Sequence, residues 1–207
     1  MSENIQIAAV EISPIELLMR EHGVLRRVLL IYAEVGKKLK CERAINYTAV
    51  HHAALQAAEI AKVYVEDFHQ ELENEHVFPL FREETRFIPV INILLEQHYA
   101  ATKITADILR ILECGVPNCK ARPRLLGLMQ GYVTMQRHHA AREDTCIFPE
   151  VHKLISAEKR GELGAMFAES AEERFGADGF AVITAKLREA EKGLGIYNLG
   201  KFTLMQK

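Results

Sequence analysis

His69-Gln70-Glu71-Leu72-Glu73-Asn74-Glu75-His76-Val77-Phe78-Pro79 and His139-Ala140-Ala141-Arg142-Glu143-Asp144-Thr145-Cys146-Ile147-Phe148-Pro149 are one frame written twice, 70 residues apart. Both read His-x3-Glu-x4-Phe-Pro. A helix turns about 100° per residue, so positions i and i+4 lie one above the other on a single face. Each segment therefore sets an imidazole beside a carboxylate.

Working outward, almost every long stretch has a helical period. A first helix opens at Ser13-Pro14-Ile15-Glu16, which has the form of a capping box. Apolar positions follow at Leu18, Leu25, Leu29 and Tyr32, and Gly36 with Lys37-Lys38 predicts its end. A second helix is predicted from about Asn46 to Val77-Phe78-Pro79. A third runs from near Pro89 to Gly115-Val116-Pro117, and a fourth from a cap at Asn118 to Phe148-Pro149. Proline at a helix end is expected, since it cannot donate to the ladder. No alternating strand pattern is present. Four long amphipathic helices on short loops specify an all-α, up-down-up-down four-helix bundle. Additional C-terminal helices are expected at about Ser156–Arg174 and Ala177–Lys192. The expected organisation is one domain, 13–192, and a tail, 193–207, able to dock on the bundle or on a partner subunit.

The first and third helices carry one matching histidine each, His22 and His98, each with a leucine four residues earlier, Leu18 and Leu94. Four antiparallel helices thus offer four inward imidazoles, and two of them add a carboxylate. One histidine on an apolar face is usually a satisfied core residue. Two buried carboxylates among four imidazoles, with no lysine or arginine at the matching positions, require a cation. His22, His69, Glu73, His98, His139 and Glu143 form a nitrogen and oxygen donor set with no thiolate, suited to iron, manganese or zinc. Two carboxylates able to bridge point to two ions, with room left for a small ligand.

The chain has 207 residues, 26 Lys+Arg against 28 Asp+Glu, and a net charge of −2, which gives no electrostatic reason to expect nucleic acid or an anionic membrane as partner. No apolar run reaches the roughly 18 residues of a membrane span, and the N-terminal MSENIQIAAVEISP lacks the form of a secretory leader. The four cysteines, Cys41, Cys114, Cys119 and Cys146, are expected as reduced thiols in a cytoplasm. Cys114 and Cys119 bracket a turn where a regulatory disulfide could form. Cys146 is expected to be a packed thiol, and His51, His52, His138 and His152 to lie off the metal site.

This spaced set, His22, His69-x3-Glu73, His98 and His139-x3-Glu143 with both Phe-Pro dipeptides, resembles the hemerythrin-like family, the HHE cation-binding domains. The resemblance covers about residues 13–192. It implies a non-haem di-iron (Fe–O–Fe) centre with the four histidines as terminal ligands and Glu73 and Glu143 as bridges, zinc or manganese being the less favoured metals. It implies a small partner: O2, H2O2 or NO. The chain departs from the oxygen-carrying members in two places. Their second third-helix histidine falls at Thr102, and Glu143 replaces an aspartate. Glu66, His76 and Tyr132 are the candidates to make up the missing donor; a tyrosine ligand would favour peroxide handling over oxygen carriage. A peroxide- or nitric-oxide-consuming activity is thus one expectation, and a homo-oligomer another. The alternatives are a ferritin-like di-iron oxidase, for which Glu73-x-x-His76 supplies one of two required Glu-x-x-His copies, and a non-catalytic, metal-stabilised interaction module.

Overall fold

The computed structural model describes residues 13–41 and 46–203. Residues 1–12 of the N-terminal stretch and 204–207 of the tail lie outside the described residues. Six helices and a short 3-10 turn account for the fold, with no strand among the described residues. Helix α1 is Pro14–Lys40. Helix α2, residues 47–81, is one continuous rod of changing pitch: α over Tyr47–Ile60, π over Ala61–His69, α over Gln70–Leu72, π over Glu73–Val77 and 3-10 over Phe78–Phe81. Helix α3 is Ile88–Glu113. Helix α4, residues 122–154, is α over Arg122–Arg142, π over Glu143–Ile147 and α again over Phe148–Leu154. Helices α5 (Ala157–Phe175) and α6 (Gly179–Leu194) follow, then the turn Leu199–Phe202.

The helix ends show where local sequence ruled and where it did not. Asn46 caps α2 by accepting the Ala49 N–H at 3.0 Å. Ser156 caps α5 by accepting from Lys159 at 3.2 Å. Ser13 holds the cap position of α1, but its Oγ is buried without a partner, so the expected capping box does not form. Gly36 is passed over, and α1 ends on a basic turn, Lys37, Lys38 and Lys40, that complements the helix dipole. Helix α4 starts four residues after Asn118. Asn118 instead accepts from the Lys120 and Ala121 N–H groups, both at 3.0 Å, and shapes the turn that leads in. The Phe-Pro dipeptides do not end their helices: α2 runs on to Phe81 and α4 to Leu154.

Neighbouring helices run antiparallel, as their paired contacts show. Between α2 and α3, His51 reaches the Leu112 carbonyl, Thr105 donates to Glu66, and His98 meets Asn74. Between α3 and α4, Arg124 donates to Asp107 while His98 meets His139. Between α1 and α4, the Tyr32 and Tyr132 rings pack 5.6 Å apart while His22 bonds Asp144. Helices α5 and α6 pack on α1 and α2. Phe175 sits 5.1 Å from both Tyr64 and Phe68, Arg20 lies 4.5 Å over Phe180, and Arg27 grips Glu191 through two bonds of 2.8 Å. No described helix is long and apolar enough to cross a membrane.

The apolar interior is divided. One cluster, with Leu25, Tyr32, Ile108, Met129 and Tyr132, fills the end of the bundle near the α2 start. The other, with Leu18, Phe68, Phe78, Leu94, Phe148 and Phe167, fills the opposite end. Between them lies a layer of buried polar side chains.

Candidate metal centre

That layer contains all six of the side chains singled out from the sequence. His22, Glu73 and Glu143 have no exposed surface, and His69, His98 and His139 are at most 4% exposed. They gather into two poles. At the first, the ligand atoms of His22, His69 and Glu73 lie within 4.8 Å of one another; at the second, those of His98, His139, Glu73 and Glu143 do.

The glutamates join the poles. Glu73 presents Oε1 to His69 Nε2 and Oε2 to His98 Nε2, both at 3.4 Å. Glu143 presents Oε2 to His22 Nε2 at 3.4 Å and Oε1 to His139 Nε2 at 3.1 Å. Each pole is therefore lined by two imidazole nitrogens and one oxygen from each carboxylate.

The outer face of every imidazole is fixed by a hydrogen bond. His22 Nδ1–H donates to Asp144 at 2.7 Å and His69 Nδ1–H to Glu21 at 2.9 Å. His98 Nδ1–H donates to Asn74 at 2.8 Å and His139 Nδ1–H to Gln97 at 3.0 Å. Spending Nδ1–H outward turns all four Nε2 lone pairs inward, the arrangement that supports metal-bound histidine. Sequence reasoning found the six inward groups and missed these four acceptors. Their signal was present: Glu21 and Gln97 each precede a lone histidine, and Asn74 and Asp144 each follow a glutamate.

The Phe-Pro dipeptides also have a site role. Phe148 stacks on His22, centroids 5.4 Å apart, and Phe78 stacks on His98 at 5.5 Å. In an α-helix five residues turn the chain by about 500°, which leaves Glu143 and Phe148 about 140° apart. The π turn closes from the Phe148 N–H to the Glu143 carbonyl, five residues back, and Phe78 closes on Glu73 in the same way. The wider turn brings glutamate and phenylalanine to one side of the rod. It also displaces the carbonyl that the next proline ring would strike.

The electrostatics fit cations. His22 Nε2, His69 Nε2 and all four oxygens of Glu73 and Glu143 are buried without a hydrogen-bond partner. Unpaired buried carboxylate oxygens are costly. His98 Nε2 and His139 Nε2 face each other at 3.0 Å although both rings donate outward through Nδ1, so two lone pairs oppose unless a positive charge lies between them. Burial and the neighbouring Glu143 push the Glu73 carboxyl far above the usual range, whereas His139 and His22 outweigh burial at Glu143 and hold it low. Burial works against protonation of His22, but Asp144 and Glu143 prevail and lift it to about 9. Burial and the adjacent His139 drive His98 down to about 3.

The other candidates lie elsewhere. Thr102 is exposed and gives its hydroxyl to the His98 carbonyl at 3.2 Å, so α3 turns one imidazole and the small Ala101 inward. Glu66 and Tyr132 are buried but bond to each other at 3.3 Å, with Thr105 also donating to Glu66, and neither belongs to a pole. His76 is half-buried, 5.9 Å from the Phe167 ring, and outside both poles. His51 bonds the Leu112 carbonyl and His138 the Thr134 carbonyl, while His52 and His152 are exposed. All four cysteines are free, Cys114 and Cys119 among them. Cys146 is half-exposed beside Arg142 and Thr145 rather than packed, because the π turn that begins at Glu143 carries it round to the surface.

Comparison with known proteins agrees with this geometry. The model of the hemerythrin HHE cation-binding domain matches residues 13–151. The chain belongs to that family. The match stops short of α5 and α6. Similar curated proteins are uncharacterized proteins of Mycobacterium bovis and of two strains of Mycobacterium tuberculosis. Each is 34% identical over 187 residues, spanning 90% of this chain and 72% of the relative. No solved structure matches the chain.

Proposed function

We propose that the chain is a di-iron protein that binds or processes a small ligand, O2, H2O2 or NO. His22 and His69 hold one ion, His98 and His139 the other, and Glu73 and Glu143 each span both. One observation carries this reading: two buried glutamates with every oxygen unpartnered, each directing one oxygen to each pole. Imidazole and carboxylate donors without thiolate suit iron, manganese or zinc alike; the hemerythrin-type domain is what favours iron among them.

Two irons held by these residues would supply a redox pair able to take up a small ligand. The protein's own part is to exclude water and fix the imidazoles. The two apolar clusters seal the layer from above and below. A cavity of about 330 Å³ opens beside the second pole, walled by Asn74, Phe78, Phe81, Ile91 and Leu95. Two of these, Asn74 and Phe78, touch His98, so the cavity gives a ligand its approach on that side. Free thiols accord with a reducing, cytoplasmic setting.

Elemental analysis of freshly purified protein tests the reading. Two irons per chain are expected; zinc alone refutes it in favour of a metal-stabilised interaction module, and protein free of metal refutes both. Addition of H2O2 to the iron-loaded protein separates the ligands: without oxygen evolution or a change in the visible iron bands, the peroxide role falls. The ferritin-like oxidase makes His76 essential. With His76 outside both poles, substitution to alanine is expected to leave iron content at two, whereas His69→Ala lowers it.

A further inference from the structure

The two halves of the site are built alike, step for step. The residue before each lone histidine, Glu21 or Gln97, holds the next helix's imidazole. The residue after each glutamate, Asn74 or Asp144, holds the lone histidine of another helix, on which the following phenylalanine stacks. The halves differ in the chemistry of those outer acceptors. Both acceptors at the first pole are carboxylates, Asp144 and Glu21. Both acceptors at the second are neutral amides, Asn74 and Gln97.

An imidazole whose Nδ1–H is held by a carboxylate is a stronger donor through Nε2 than one held by an amide, and such outer partners shift metal affinity by roughly 10–100-fold. The extra charge is only partly offset. Arg26, itself half-exposed, pairs with Asp144, while Glu21 is 3% exposed and its one ion-pair partner among the described residues is His69. The second pole also borders the open cavity through Asn74 and Phe78, so the weaker donors stand where exchange is easiest. Resting on the two-ion reading above, we infer that the poles are unequal. The carboxylate-backed pair His22 and His69 fills first and retains its ion, and the amide-backed pair His98 and His139 holds the exchangeable ion. Glu21 and Asp144 are the positioning residues that set the order.

Titration of metal-free protein with zinc, followed by calorimetry and by NMR of the histidine rings, tests this. Two binding steps differing by tenfold or more are expected, with the His22 and His69 signals shifting during the first equivalent and those of His98 and His139 during the second. Glu21→Gln keeps the volume and the hydrogen bond and removes only the charge. It should weaken the first step about tenfold and leave the second unchanged, and Gln97→Glu should strengthen the second. A residue with a merely structural role would leave Glu21→Gln indistinguishable from the parent. Two equal steps, filling that begins at His98 and His139, or an unchanged Glu21→Gln isotherm each overturn the inference while the two-ion reading stands. Uptake of fewer than two ions, whether zinc or iron, overturns both.

Discussion

Glu66 shows what a single buried carboxyl does to this molecule. It lies one turn before His69, accepts from Thr105 and Tyr132 through Oε1, and leaves Oε2 unpartnered. Burial raises it to about 7, against the lowering effect of those two hydroxyls; Asp67 adds to the rise and Lys62 opposes it. In the unfolded chain the same group titrates near 4.5. Below that pH both states are protonated and no penalty exists. Between about 4.5 and 7 the unfolded state loses its proton first, so stability falls as pH rises, and above 7 the loss is complete, at about 3 kcal/mol. Glu66→Gln keeps the acceptor and removes the charge. It should stabilise the metal-free protein by up to about 3 kcal/mol at pH 8 and by little at pH 4.5, measured by denaturant unfolding at both. The six inward groups were legible in the sequence because buried charge beside imidazole has few explanations. The Glu66–Tyr132–Thr105 cluster was not, because its members come from three helices whose relative register no local pattern records.

At the scale of the element, the repeated Glu-x4-Phe-Pro frame was visible in the sequence, but its meaning was not. Read with α-helical spacing, Phe-Pro is a stop. The π turns make it a device that aims glutamate and phenylalanine at one layer. Replacing Pro149 with alanine restores the donor that a regular α turn needs, and the turn is expected to tighten and swing Phe148 off His22. Helix content by circular dichroism should hold, while metal affinity falls about tenfold; Pro79→Ala should act likewise through His98. Unchanged affinity would show that the prolines only end-stop their turns. Helix positions were readable from capping and apolar period to within a few residues. The shifts at Lys40 and Arg122 arose where tertiary packing extended a helix past its local stop or a turn delayed its start.

For the whole molecule, the polar layer lies between two apolar clusters, so ion binding and folding are linked. An ion present at 1,000 times its dissociation constant adds about 4 kcal/mol. In a chain of this size that is a melting shift of roughly 10 °C. Dialysis against a chelator should lower the melting temperature by about that amount, and a readdition of iron should restore it; equal melting curves would mean that the layer is indifferent to its cations. The packing of α5 and α6 on α1 and α2 was the least legible feature at this scale. The two helices were visible as amphipathic stretches, but the Arg27–Glu191 grip and the Phe175 contact with Tyr64 and Phe68 join positions more than a hundred residues apart.

The crossed ownership of the outer contacts has a topological consequence. His22 in the leading hairpin leans on Asp144 and Phe148 of the trailing one, and His98 in the trailing hairpin leans on Asn74 and Phe78 of the leading one. Cut in the connector 82–87, the chain would yield two fragments, each owning a pair of imidazoles yet lacking one spanning glutamate and the brace for its own lone ring. The metal layer is thus a clasp: neither fragment can complete a binding pocket until it has found the other.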